Sequence, residues 1–169
     1  MPQPRAIDAT AGFGEDALLL AAAGFQVHLF ERDRVIAALL EDGLRRAASD
    51  DKLAPIVANM QLTCADSTQA LRDAATGGAG APDVVYLDPM FPARTKSASV
   101  KKKFQLLHHL EAPCDAEEEL LRAAIAARPR KVVVKRPAKG PLLAGVKPSY
   151  TIAGKAVRYD VITPASVKL

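Results

Sequence analysis

The chain has 169 residues, 49% hydrophobic and 25% charged, with a formal net charge of +4 and a pI near 9.2. That is enough chain for one domain with its own core, and the mixture excludes disorder, collagen and coiled coil. No apolar run approaches the roughly 20 residues a membrane helix needs, and the opening residues 1–5 lack the apolar region of a signal peptide.

The predicted elements alternate. Residues 6–10 read as a short buried strand running into Asp8-Ala9-Thr10. A glycine turn, Ala11-Gly12-Phe13-Gly14, leads to a helix over 15–23 that Gly24 stops. Residues 25–30 form a second strand, followed by Glu31-Arg32-Asp33. A long helix over 34–48 carries Val35, Ile36, Leu39, Leu40 and Leu44 on one face at near-helical spacing. Residues 50–58 read as a loop, 60–64 as a third strand, and Asp66-Ser67 opens a short helix to about residue 75. After a Gly-rich loop at 76–82, residues 84–87 form a fourth strand closed by Asp88-Pro89-Met90-Phe91-Pro92. Helices over about 98–110 and 115–127, a fifth strand at 131–135, and a hairpin of 149–153 with 157–163 about Gly154-Lys155 complete the chain. The fold class is therefore α/β: a doubly wound, mostly parallel sheet with an antiparallel hairpin at one edge.

In such sheets ligands sit beyond the carboxyl ends of the strands. Four groups of residues fall there. Asp8, Gly12, Gly14, Glu15 and Asp16 surround the first turn; Glu31 and Arg32 follow strand two; Asp66 and Ser67 follow strand three; Asp88, Pro89 and Phe91 follow strand four. Glycines let a ligand approach the backbone, and a carboxylate at Glu31 suits the two hydroxyls of a ribose. Gly12-x-Gly14-x-x-Ala17 also fits a dinucleotide pattern, so a nicotinamide-dependent oxidoreductase is one reading. Glu15 and Asp16 at the helix start oppose a pyrophosphate and suit a cation, such as the sulfonium and ammonium of S-adenosylmethionine. A structural glycine turn with surface acids is the third possibility.

Asp88-Pro89-Met90-Phe91 is similar to the D/N-P-P-Y/F motif of amino-group methyltransferases, with Met in the third place. An exocyclic amine has its lone pair delocalised into its ring. A carboxylate and a neighbouring carbonyl can accept its N–H groups and aim that lone pair, while an aromatic ring stacks on the base. A rigid proline loop ending a strand is the plainer alternative.

The segments DATAGFGEDA, LFERDRVIAALLEDGLRRA, VVYLDPMFPARTKSASVKK, VVVKRP and PLLAGV resemble the bacterial small-subunit ribosomal RNA guanine-N2 methyltransferases of the RsmJ (YhiQ) type across nearly the whole chain. The resemblance implies a class I, Rossmann-like methyltransferase fold, S-adenosyl-L-methionine as donor, and methylation of a guanine N2 in 16S rRNA or the small ribosomal subunit. It implies cofactor contacts at Glu15-Asp16, Glu31-Arg32, Asp66-Ser67 and Asp88. The family usually has Arg-Asp at 15–16 and often Ser-Ser at 66–67, so this chain departs there. It also begins abruptly at the first strand, and one catalytic core without the family's N-terminal segment is the expectation.

Two stretches are basic and free of acids. Arg94, Lys96, Lys101, Lys102 and Lys103 follow the acceptor loop, and Lys135 and Arg136 end the fifth strand. Both are candidates to hold RNA phosphates, which would position without reading sequence; a solvated basic face is the alternative. A non-catalytic RNA-binding module on the same scaffold remains the other functional class. Cys64 and Cys114 have no CxxC partner, and His108-His109 has no third ligand, so neither metal nor disulfide is expected. Reduced cysteines point to the cytoplasm.

Overall fold

A computed structural model describes residues 2–76, 80–89 and 117–166. Seven strands form one sheet: β1 (Arg5–Asp8), β2 (Gln26–Glu31), β3 (Met60–Cys64), β4 (Val84–Leu87), β5 (Lys131–Pro137), β6 (Tyr150–Ala153) and β7 (Val157–Ile162). Their spatial order is β3-β2-β1-β4-β5-β7-β6. The first five are parallel; β7 runs antiparallel between β5 and β6. The order reverses between β1 and β4, which opens a crevice at their carboxyl ends. The doubly wound sheet and its edge hairpin are those the sequence predicts.

Alternation along the strands loads both faces. On one face Ala6, Val27 and Leu29 pack with Ala17, Ala21 and Leu40 of α1 (Glu15–Ala22) and α2 (Arg34–Ala47). On the other, Ile7, Val85, Leu87, Val132 and Val134 pack with Leu71 of α4 (Ser67–Thr76) and Leu121, Ala124 and Ile125 of α5 (Glu117–Ala126). Each fully buried leucine contributes about 1.5–3 kcal/mol.

Local chemistry sets the boundaries. Asp33 caps α2 by accepting the Val35 and Ile36 N–H groups at 2.8 and 3.0 Å. A short α3 (Ala54–Val57) occupies the segment predicted as loop, with Asp50 accepting the Lys52 and Leu53 N–H groups just before it. In α2 the buried stripe is Ile36, Ala37 and Leu40, whereas Val35 is 54% and Leu39 48% exposed. The predicted five-residue face is thus narrower, because the sheet covers only the turn of the helix centred on 36 and 40. β5 runs two residues further than expected, since Arg136 and Pro137 stay in register with Arg158 and Val157 of β7. No described helix is long and apolar enough to cross a membrane.

Candidate functional site

The crevice is lined by backbone that leaves the sheet in an ordered way. The Ala9 N–H donates to the Tyr86 carbonyl and the Ala11 N–H to the Phe30 carbonyl, each at 3.0 Å, so the chain after β1 stays between β2 and β4. Gly14 then starts α1 at φ +75°, and a Cβ there would lie 2.7 Å from a Leu40 methyl. Only glycine meets both demands without strain. Glu15 and Asp16 occupy the first turn of α1, where the helix dipole favours them.

The sheet register then brings four carboxylates to one rim. Asp8 ends β1, Glu31 ends β2, Asp88 follows β4, and Asp16 faces them from α1. Asp8 is 1% exposed, with its Oδ1 accepting the Thr10 N–H at 3.1 Å. Burial pushes its carboxyl up to about 7; the Thr10 bond opposes this, and the fields of Asp16, Asp88 and Glu31 add to it. Glu31 accepts the Gly12 N–H at 2.9 Å and the Asp33 N–H at 2.8 Å, one on each oxygen. Burial raises it too, against those same backbone bonds. Arg32 is exposed beside it.

Asp88 is placed from three sides. Its N–H donates to the Thr10 hydroxyl oxygen at 2.7 Å. Its Oδ2 lies 3.1 Å from the Lys135 ammonium, which also binds Asp16 at 2.6 Å. Burial raises the Asp88 carboxyl, and Lys135 is the largest opposing influence. Pro89 behind it is buried. The Tyr86 hydroxyl is buried in the field of Asp16 and Asp88, which together with burial holds it protonated.

Not every predicted site residue lies where the sequence placed it. Lys135 is no free phosphate hook: its side chain is 24% exposed and bridges Asp16 and Asp88 within the crevice. Arg136 is 1% exposed, and its Nε donates to the Pro141 carbonyl. Neighbouring residues of a strand point to opposite faces, so the two never formed one basic surface. Ser67 is buried and donates its hydroxyl to the Ala9 carbonyl at 2.9 Å, tying α4 to the turn after β1. Asp66 is exposed and accepts the Thr68 N–H at 2.7 Å. Phe91, Arg94, Lys96, Lys101, Lys102, Lys103, His108, His109 and Cys114 lie outside the described residues. Thr10, Tyr86 and the ion-pairing role of Lys135 are additions. Thr10 sits two residues beyond Asp8, and Lys135 follows the Val134 that pairs with Leu87, but only the register brings them to Asp88.

The family described as "Putative SAM-dependent methyltransferase" matches residues 1–164. The chain belongs to this family. Relatives called ribosomal RNA small subunit methyltransferase J are 50% identical over 159 residues in Pseudomonas aeruginosa and 46% identical over 166 residues in Pseudomonas fluorescens. These alignments cover 94% and 98% of the chain but 60% and 63% of the relatives. The SAM-dependent methyltransferase of Neisseria gonorrhoeae superposes with a TM-score of 0.79 at 35% identity, over 98% of this chain and 64% of that one.

S-adenosylmethionine (SAM), the donor that family membership implies, suits the residues present. The acidic rim matches a sulfonium and an ammonium, and the Glu31 carboxylate is an acceptor suited to hydroxyl donors. Asp8, Glu15 and Asp16 would face the amino-acid end, Glu31 the ribose, and Asp66 the adenine amine. Among the described residues no group of three or more His, Cys, Asp or Glu could hold a metal ion.

Proposed function

We propose that this chain is a SAM-dependent methyltransferase core that modifies the exocyclic N2 of a guanine in 16S rRNA or the small ribosomal subunit, in the cytoplasm. The observation that carries the reading is the Asp16–Lys135–Asp88 bridge, with Nζ at 2.6 and 3.1 Å from the two carboxylates. It holds the acceptor-motif carboxylate against the turn that suits a cationic donor. The names of the Pseudomonas relatives support the rRNA substrate.

SAM supplies, when bound, an electrophilic methyl on a positively charged sulfur. The protein's task is then placement. Asp88 and the Pro89 carbonyl accept the two amine N–H groups, which turns the nitrogen lone pair toward the donor side. Transfer would form the N–C bond as the methyl–sulfur bond breaks and a neutral thioether leaves; the nitrogen then carries positive charge and must release a proton, and an ionised Asp88 would stabilise that charge and accept the proton. Phe91 offers a face for the base, and Arg94, Lys96, Lys101, Lys102 and Lys103 hold phosphates beside it.

The test is methyl transfer from labelled SAM to small subunits that lack the modification. Asp88→Ala should lower turnover by at least about 100-fold while keeping the fold. Wild-type turnover in that variant would overturn the assignment. Binding of RNA with no transfer by the unmodified chain would favour a non-catalytic module.

A further inference from the structure

We propose that Lys135 is a positioning residue of the acceptor site, its ammonium keeping the Asp88 carboxylate ionised and aimed at the incoming amine. The proposal rests on the reading that Asp88 receives that amine.

The placement follows from the sheet. Leu87 pairs with Val134, so the next residues of β4 and β5, Asp88 and Lys135, emerge side by side at the carboxyl edge. Alternation points Lys135 to the α1 face, where Asp16 meets it, and Arg136 to the α5 face. The side chains of Asp16, Lys135 and Asp88 are 23%, 24% and 31% exposed, so water screens them only partly.

The charged and titratable groups facing Asp88 are Lys135 and Arg136 from β5, Asp16 from α1, Asp8 from β1 and Tyr86 from its own strand. Asp16 and Asp8 repel a second negative charge there. Arg136 acts from the far face of the sheet, so Lys135 is the cation in direct contact. Burial alone would lower the Lys135 ammonium, but its bonds to Asp16 and Asp88 outweigh burial and raise it, so it stays charged through the neutral range. A neutral carboxylic acid at Asp88 would lose one acceptor and could not take the proton that methylation releases. One lysine therefore supplies what burial and two neighbouring acids remove.

The experiment is an NMR titration of the whole chain carrying carbon-13 in its aspartate carboxyls, with the Asp88 resonance assigned through D88N. In K135M the Asp88 midpoint should rise by about one pH unit or more, and K135R should return it toward wild type. K135Q serves the same purpose if K135M fails to fold. In parallel, the acid limb of kcat for methyl transfer should move up with the midpoint. An Asp88 midpoint identical in K135M, K135Q and wild type would overturn the proposal. So would a raised midpoint with an unmoved acid limb. Absence of transfer by the wild type would overturn the functional reading instead, and the NMR midpoint would still decide whether Lys135 controls Asp88.

Discussion

Arg158 and Lys135 are both largely hidden cations held against carboxylates of the same sheet, yet their surroundings differ. The Arg158 guanidinium is spent completely. Its Nε bonds both oxygens of Asp160, and its Nη1 donates to the carbonyls of Pro137, Ala138 and Gly140 at 3.0, 3.2 and 2.7 Å. Asp160 also accepts the Thr151 hydroxyl at 2.8 Å. This cluster locks the turn after β5 to the hairpin. Around Lys135 the sign is reversed: one ammonium sits among Asp8, Asp16 and Asp88, and burial still raises Asp8 and Asp88. A satisfied cluster serves the fold. An unbalanced one is costly to keep and marks where a cationic ligand would restore balance.

The largest expected effect falls on the satisfied cluster. Removing Arg158 strands Asp160, whose side chain is 6% exposed, and Arg158→Ala should cost about 3–5 kcal/mol in urea unfolding. Lys135→Met should cost clearly less, because Asp16 and Asp88 keep some access to water. Equal losses would erase the distinction between the clusters.

Next comes Asp8, where stability and binding should part. Its carboxyl moves from 3.8 to about 7 on folding. Below pH 4 both states hold the proton. Between pH 4 and 7 the unfolded chain releases it and the folded chain does not, so stability falls as pH rises and the loss is complete above 7. About three units correspond to about 4 kcal/mol as an upper bound. Asp8→Asn lacks this decline. It should match wild type near pH 4 and exceed it at pH 8 in pH-dependent unfolding, while calorimetry shows weaker SAM binding.

How much of this was legible in the sequence divides along the same line. Strands, helices and rim carboxylates were readable because hydrophobic periodicity and strand ends are local. The pairing of Lys135 with Asp88 was not, because it depends on how β4 and β5 align. In sequence Lys135 and Arg136 read together as one basic edge; the pairing of β5 with β7 through Pro137 imposes strand alternation on both cations and parts them. The bond of Ser67 to Ala9 and that of Asp88 to Thr10 are unreadable for the same reason, since they span 58 and 78 positions.

A smaller effect belongs to the turn itself. Gly14→Ala would force φ +75° on a residue with a Cβ and press it against Leu40. The Leu40 methyl is the end of a flexible side chain and can yield, so the backbone dominates, at about 1–2 kcal/mol in thermal unfolding. The same change should weaken SAM binding, because Gly12 and Gly14 frame the α1 N-terminus. A loss of stability without a loss of affinity would separate the turn from the acidic rim.

The smallest expected effect is the one that tests the basic surface. A lysine that holds a phosphate releases counterions when RNA binds, so its removal lowers the salt slope of binding by roughly 0.7–0.9. Lys102→Ala should show such a drop. Arg136→Met should show none, because the guanidinium is 1% exposed and turned toward α5 rather than the crevice. Binding of 16S rRNA fragments measured across salt, at a temperature where both variants are folded, gives the two slopes side by side. If Arg136→Met lowers the slope as Lys102→Ala does, Arg136 reaches RNA and the division of β5 into a crevice-facing lysine and a buried arginine fails.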